Sequence, residues 1–142
     1  MKLAILDTNI LISATFWKGD SYRLFQQIEK GKLRVVTSPD LLSEYREVLT
    51  RADIIEKMAE KDLNFSKAIA LLIKQFTLVY PQNTPSVVEA DPSDNMLLAC
   101  VDASGADFII TNDKHLLTLQ RYKNAIICTP GEFLEHHCQS DQ

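Results

Sequence analysis

Short apolar runs that alternate with helical patterns restrict the fold of this chain more than any other feature. Each run is short enough to be one buried strand, and helical spacing of apolar residues separates the runs. The predicted strands are 2–6, 33–37, 78–80, 107–111 and 125–128, with 87–88 as a further short candidate. Strands that alternate with helices predict an α/β fold, here a three-layer α/β/α sandwich with a central parallel sheet of about five strands.

Helix-start signals support this alternation. Ser38-Pro39 and Asp91-Pro92 each put a capping side chain directly before a proline, as helix N-termini often do. Asp20 or Ser21 is the expected cap of an earlier helix that ends near Gly31. The predicted helices are 8–14, 20–31, 38–51, 53–60, 64–76, 91–105, a short one around 116–119, and one that begins at Pro130.

Length and composition indicate one ordinary globular domain. The chain has 142 residues, of which 46% are hydrophobic and 24% charged, so a single core is expected. We expect a domain over residues 1–136 and a polar tail over 137–142. No segment approaches the ~20 apolar residues of a membrane span, so no membrane association is expected. The net charge of −4 is a poor match to a protein that wraps duplex DNA.

The cysteines indicate a reducing compartment. Cys100, Cys128 and Cys138 form an odd set without paired spacing, which argues against a disulfide framework and predicts a cytoplasmic protein. His136-His137-Cys138 resembles a metal-binding motif. No second ligand pair stands at finger-like spacing, so we interpret this segment as part of a polar tail.

Four carboxylates stand where an α/β sheet gathers its ligands. Asp7 directly follows the first apolar run, Asp113 follows the fourth, Asp94 opens a helical pattern, and Glu44 borders the apolar stripe of another helix. Functional residues of such folds collect at the carboxyl edge of the parallel strands. Because four negative charges at one edge need a cation, the pattern predicts a site for a divalent metal.

Each carboxylate also has a structural interpretation. Glu44 lies about 40° outside the apolar arc of its helix, so a boundary glutamate paired with Arg51 or Lys32 is an equal alternative. Asp94 would suit the helix dipole, although it points with the apolar stripe and therefore needs a partner. Asp7 and Asp113 could be turn or cap residues. Their joint placement favours the metal site.

One rival chemistry can be tested at the first strand. Phosphotransferases with an aspartyl nucleophile often have Asp-x-Asp there, whereas this chain has Asn9 at the third position. The chain also lacks a glycine-rich phosphate loop and a dinucleotide fingerprint.

Four motifs in order resemble the PIN-domain family, and most closely its branch of toxin components from bacterial toxin–antitoxin pairs. The resemblance covers residues 2–135. Its motifs are Leu6-Asp7-Thr8-Asn9, Ser38-Pro39 with Glu44, Asp91-Pro92-Ser93-Asp94-Asn95, and Ile109-Ile110-Thr111-Asn112-Asp113.

The resemblance implies a ribonuclease that depends on Mg²⁺ or Mn²⁺, with RNA as substrate and with a small antitoxin protein or a second copy of the chain as partners. It implies Asp7, Glu44, Asp94 and Asp113 as catalytic residues, with the three aspartates as metal ligands. The supporting residues it implies are Thr8, Asn9, Asp91 and Thr111, and the weaker candidates for substrate binding are Lys18, Arg23, Arg46 and Lys114.

Two other functions remain open at this point. A catalytically inactive scaffold would bind RNA or a protein without cutting, but a complete carboxylate set argues against it. A nuclease acting on DNA flaps or ends is the second alternative, and the acidic balance of so small a chain argues against that.

Overall fold

In the described part of the chain, a six-stranded, mostly parallel sheet forms the centre of the protein. The computed structural model describes residues 2–10, 13, 19–51, 73–83 and 92–138. The strands are β1 (Lys2–Leu6), β2 (Leu33–Thr37), β3 (Thr77–Leu78), β4 (Phe108–Ile110), β5 (Arg121–Tyr122) and β6 (Ala125–Cys128). Their order in the sheet is β3-β2-β1-β4-β6-β5. All neighbours are parallel except β5 and β6. The prediction of a central parallel sheet is therefore confirmed, with one more strand than the five expected.

The added strand, β5, runs antiparallel to β6 at the edge of the sheet. A tight turn joins the two strands, and Lys123 in this turn has a φ of 53°. The predicted third strand, 78–80, is observed as Thr77–Leu78. The N–H of Val79 still donates to the carbonyl of Thr37, at 2.8 Å. Pro81 follows soon after, has no N–H to donate and restricts the residue before it, which ends the pairing.

The helices lie where the helix-start signals predict them. They are α1 (Asp20–Glu29), α2 (Pro39–Leu49), α3 (Pro92–Ser104), α4 (Lys114–Leu119) and α5 (Pro130–His136), and residues 8–10 form a short helical turn after β1. The predicted cap of α2 is confirmed, because the Ser38 side chain accepts from the N–H of Leu41 at 3.2 Å. The predicted helices 53–60 and most of 64–76, the candidate strand 87–88 and the cap Asp91 lie outside the described residues.

The predicted cap of α1 is wrong. Gly19 occupies the N-cap position without a side-chain hydrogen bond, and Asp20 is already the first helical residue. Gly19 has a φ of 148°, a conformation that glycine adopts more easily than other residues. Backbone geometry therefore starts this helix, and the acidic side chain of Asp20 lies in the first turn, near the positive end of the helix dipole.

Helices cover both faces of the sheet. In β4, three consecutive residues are buried, which requires apolar packing on both sides of the strand. Contacts between helices join α1 with α5 and α2 with α3. The fully buried large side chains are Tyr45, Ile5, Leu6, Ile10, Leu24, Leu41, Leu97, Leu98, Ile109 and Ile110. The core thus lies directly beneath the carboxyl edge of β1 and β4.

The last described residues pack against the start of the sheet. The carbonyl of His137 accepts a hydrogen bond from Lys2 Nζ, and the His137 ring lies 4.9 Å from that of Phe108. The division between residues 1–136 and 137–142 stays a prediction, and residues 139–142 lie outside the described part of the chain.

Candidate metal centre

Strand register brings Asp7 beside Thr111. Leu6 pairs with Ile110, so Asp7 and Thr111 are the next residues along β1 and β4. The N–H of Asp7 donates to the carbonyl of Ile110 at 3.1 Å, which extends the ladder by one residue. Thr111 is 0% exposed, and its hydroxyl donates to Asp7 Oδ2 at 2.7 Å. This hydrogen bond orients one oxygen of the carboxylate.

Asp113 is both a helix cap and a member of the acidic site. Its Oδ1 accepts from the N–H of His115 at 2.7 Å, which makes it the N-cap of α4. Its own N–H donates to Thr111 Oγ1 at 3.0 Å. Thr111 therefore connects Asp7 to Asp113, because its hydroxyl donates to one and accepts from the other. The cap interpretation of Asp113 is confirmed, and it is compatible with a second role.

Asp94 completes a convergent group of three carboxylates. It lies in the first turn of α3 and is only 3% exposed. Among the described residues, one carboxylate oxygen from each of Asp7, Asp94 and Asp113 can be chosen so that all three lie within 4.8 Å of one another. Burying a carboxylate beside two others is costly unless positive charge compensates it. Their closeness makes this position suitable for a cation.

Burial and like charge act on the Asp7 carboxyl. Burial raises its pKa above the ordinary range, and the Asp113 carboxylate raises it further. The hydrogen bonds from Thr111 and from the N–H groups of Asn9 and Thr8 lower the pKa, without cancelling the rise. Burial and the neighbouring carboxylate thus make Asp7 easier to protonate than an exposed aspartate.

Glu44 is held next to this group by Thr8. It is half-buried on α2, and its Oε2 accepts from the Thr8 hydroxyl at 2.7 Å. Thr8 follows Asp7 directly, so Glu44 lies at the border of the acidic site. It is not one of the three carboxylates that converge most closely.

Tyr45 is a polar residue of this region that sequence reasoning placed only in the core. It is 0% exposed, and its hydroxyl donates to the carbonyl of Leu6 at 2.6 Å. Burial raises the pKa of the Tyr45 hydroxyl well above its ordinary value, so it remains a donor. The only signal in the sequence was tyrosine rather than phenylalanine on an apolar stripe, since a buried hydroxyl needs a partner.

The other candidates are less closely tied to the centre. The Asn9 side chain is exposed, and its backbone N–H is the group that contacts Asp7. Arg46 and Lys114 are exposed, on α2 and at the start of α4. Arg23 is 72% exposed and lies 4.0 Å from the Asp20 carboxylate. Lys18 and Asp91 lie outside the described residues. Roles for all these residues stay predictions.

A comparison with known families agrees with the geometry. The profile of the PIN domain matches residues 4–115, which is most of the chain and includes all three converging aspartates. The chain belongs to the PIN-domain family. The resemblance seen in the sequence is thereby confirmed, and PIN domains are generally nucleases that use divalent metal.

Solved structures share the PIN fold at low identity. The structure of VapBC2 from Rickettsia felis bound to a DNA fragment from their promoter matches with a TM-score of 0.58 at 15% identity, covering 88% of this chain and 96% of that one. PAE2754 from Pyrobaculum aerophilum matches with a TM-score of 0.56 at 14% identity, covering 94% and 88%. No curated protein matches this chain.

The residues at the PIN centre fit Mg²⁺ or Mn²⁺. All ligands in the convergent group are hard carboxylate oxygens, which these ions prefer, and neither cysteine nor histidine belongs to it. Roles as metal ligands stay predictions for Asp7, Asp94 and Asp113, as does the catalytic role of Glu44.

None of the three cysteines forms a disulfide among the described residues, and none belongs to this group. Cys100 and Cys128 are buried, and burial, with the Glu132 carboxylate, raises the pKa of Cys128 to about 12. None of the helices in the described part of the chain is both long and apolar enough to span a bilayer.

Proposed function

We propose that this PIN domain is an endoribonuclease that depends on Mg²⁺ or Mn²⁺ and hydrolyses RNA phosphodiester bonds. The observation that carries the proposal is the convergence of three carboxylates, from Asp7, Asp94 and Asp113, within 4.8 Å. Gathering buried negative charge lowers stability. A metal-dependent nuclease centre is the function of a PIN domain that would explain why these charges are gathered.

In this proposal, the three aspartates hold the ion and Thr111 keeps one Asp7 oxygen in position. Glu44 lies at the rim, where the attacking water and the substrate would approach, and Thr8 orients it. The bound ion would supply charge stabilisation at the scissile phosphate and help to ionise the attacking water. Arg46, Lys114, Arg23 and Lys18 are the candidates for contacts with the phosphate backbone.

RNA rather than duplex DNA is the substrate class we propose. The net charge of −4 leaves little positive surface for a duplex, whereas a single strand can enter a small site. The single test is to incubate pure protein with single-stranded RNA or DNA of the same sequence, in Mn²⁺, Mg²⁺ or chelator. We expect RNA cleavage only with metal.

Variants separate this activity from a contaminating nuclease. Asp7→Asn and Asp113→Asn should each reduce cleavage by at least about 100-fold, since they remove a charge from the metal centre. Asp102→Asn is the matched control, because it makes the same change on α3 at the end remote from Asp94. Equal cleavage by the wild type and Asp7→Asn would refute the proposal. RNA binding without any cleavage would instead identify an inactive scaffold, and preference for DNA would identify a DNA nuclease.

We further propose that the protein is the toxin of a type II toxin–antitoxin pair and works in the cytoplasm. The PIN family and the fold shared with VapBC2 of Rickettsia felis support the first part, and three cysteines without a disulfide among the described residues suit a reducing compartment. Co-expression with the products of adjacent genes should yield a stable complex with a small protein. Light scattering on the free protein would show whether it is a homodimer. Normal growth when the protein is expressed alone would contradict the toxin role.

A further inference from the structure

Two neighbouring residues of α2 hold the two residues that flank Asp7. The Tyr45 hydroxyl donates to the carbonyl of Leu6 at 2.6 Å, directly before Asp7. The carboxylate of Glu44 accepts from the hydroxyl of Thr8 at 2.7 Å, directly after Asp7. One turn of one helix therefore contacts the chain on both sides of the candidate ligand, through the backbone carbonyl of Leu6 and the side-chain hydroxyl of Thr8.

The contact with Leu6 forms where the pairing between β1 and β2 has stopped. The last pair in that register is Ala4 with Val35, two residues before Leu6. On the other side of β1, Asp7 still pairs through its N–H with the carbonyl of Ile110. A buried carbonyl without a strand partner needs another donor, and the Tyr45 hydroxyl provides it. Tyr45 thus replaces a missing strand contact at the position that aims the Asp7 side chain.

Tyr45 is well suited to act as a fixed support. Its side chain is fully buried, and its ring meets Phe76 edge-to-face with centroids 6.5 Å apart. Only the hydroxyl reaches toward the site, and it contacts backbone rather than a carboxylate. Tyr45 therefore does not compete for the Asp7 oxygens, which accept from Thr111 and from the N–H groups of Thr8 and Asn9.

We infer that Tyr45 is a positioning residue for the metal centre, which sets the orientation of Asp7 by holding the carbonyl of Leu6. The inference rests on the proposed function and deepens it, since it names a residue outside the carboxylate set on which metal binding depends. Tyr45 touches neither ion nor substrate, so its effect is expected on metal affinity and turnover rather than on RNA binding.

Tyr45→Phe tests this inference because it removes the hydroxyl and keeps the ring. Mn²⁺ affinity is measured by isothermal titration calorimetry and by electron paramagnetic resonance of Mn²⁺, at a temperature where every variant is fully folded. We expect affinity for Mn²⁺ to fall about 10-fold, as for partners that orient metal ligands. The kcat for RNA at fixed Mn²⁺ should fall by a similar factor, whereas KM for RNA should not change.

Two control variants each remove a hydrogen bond that a different hydroxyl group donates. Ser104→Ala deletes a hydroxyl that donates to the carbonyl of Cys100 at 2.6 Å, the same kind and length of bond at the far end of α3. Tyr122→Phe makes the same chemical change at a tyrosine whose hydroxyl contacts Asp102. Both should keep wild-type Mn²⁺ affinity and kcat, even where they lower the melting temperature.

The outcomes separate this inference from the proposed function. If the wild type binds Mn²⁺ and cleaves RNA but Tyr45→Phe matches it in affinity and kcat, Tyr45 is only a core residue and this inference fails alone. If Ser104→Ala loses Mn²⁺ affinity as strongly as Tyr45→Phe, the effect is general destabilisation and the inference also fails. If the wild type neither binds Mn²⁺ nor cleaves RNA, the proposed function fails and the inference falls with it.

Discussion

Replacing Asp94 with asparagine should stabilise the metal-free protein and remove most of its response to metal. Two carboxylates lie within 4.8 Å of Asp94. At an effective dielectric constant near 20, a pair of like charges at that distance repels by about 3.5 kcal/mol. We count only one such pair, the one with Asp113, which gives the smallest repulsion expected among the three converging carboxylates.

An opposing term reduces the expected gain. An amide accepts weaker hydrogen bonds than a carboxylate, which costs about 1–1.5 kcal/mol. The net expectation for Asp94→Asn without metal is a gain of ~2 kcal/mol, or roughly 8 °C in melting temperature for a chain of this length. If Asp94 were only a structural residue, its loss would instead destabilise the protein by ~1 kcal/mol.

Metal should remove the stability advantage of the variant. At a Mn²⁺ concentration of 100 times its dissociation constant, binding stabilises the wild type by ~2.7 kcal/mol. If the variant binds 100-fold more weakly, the same concentration stabilises it by only ~0.4 kcal/mol.

Thermal unfolding in chelator and in Mn²⁺ measures all four stabilities. Asp102→Asn serves as the control on the same helix. It loses an ion pair with Lys123, so it should be slightly less stable but keep the full shift with Mn²⁺. A metal-free Asp94→Asn protein that is less stable than the wild type, together with equal Mn²⁺ shifts in both, would refute the reasoning.

Two further predictions follow from shifted pKa values and burial. The unfolded pKa of Asp7 is about 3.9 and its folded pKa is higher, so the folded state binds more protons between the two values. Its contribution to stability is complete below the unfolded pKa and is lost as the pH rises through the folded pKa. In urea unfolding with chelator between pH 4 and 7, the free energy of unfolding should therefore fall less steeply with pH for Asp7→Asn than for the wild type. Equal slopes in the two proteins would contradict this. In native protein at pH 8, iodoacetamide should modify Cys138 faster than the buried Cys100 and Cys128. Peptide mass spectrometry measures the three rates. Equal rates at all three thiols would count against the burial of Cys100 and Cys128.

Apolar runs were the most dependable guide to the fold. The predicted strands 2–6, 33–37 and 125–128 have the observed bounds of β1, β2 and β6, because each is a compact apolar run with clear ends. The two-residue strand β5 (Arg121–Tyr122) was missed. It is short and partly exposed, and it depends on pairing with β6 across a tight turn rather than on its own pattern. No local signal distinguishes such a strand from a loop.

Sequence position predicted which residues meet at the candidate centre better than it predicted how they meet. Asp7 and Asp113 were expected at one sheet edge because both follow strands, but their connection through Thr111 depends on the register of β1 against β4. Helical angles left Glu44 equally open to a role in the site and to a boundary position paired with Arg51 or Lys32. Its observed contact is with Thr8, 36 residues earlier, and no helical pattern contains that contact.

Tyr45 shows why a site can extend beyond its recognisable motif. Helical spacing places it correctly in the core, and hydrophobic burial alone would be satisfied equally well by phenylalanine. The hydroxyl has a role because the pairing of β1 with β2 stops at Ala4, two residues before β1 ends, so that among the described residues the carbonyl of Leu6 accepts from Tyr45 rather than from β2. The requirement for a tyrosine thus arises from where two strands stop pairing. A carboxylate ligand can be recognised by its place after a strand, whereas the residue that aims it is determined by tertiary structure.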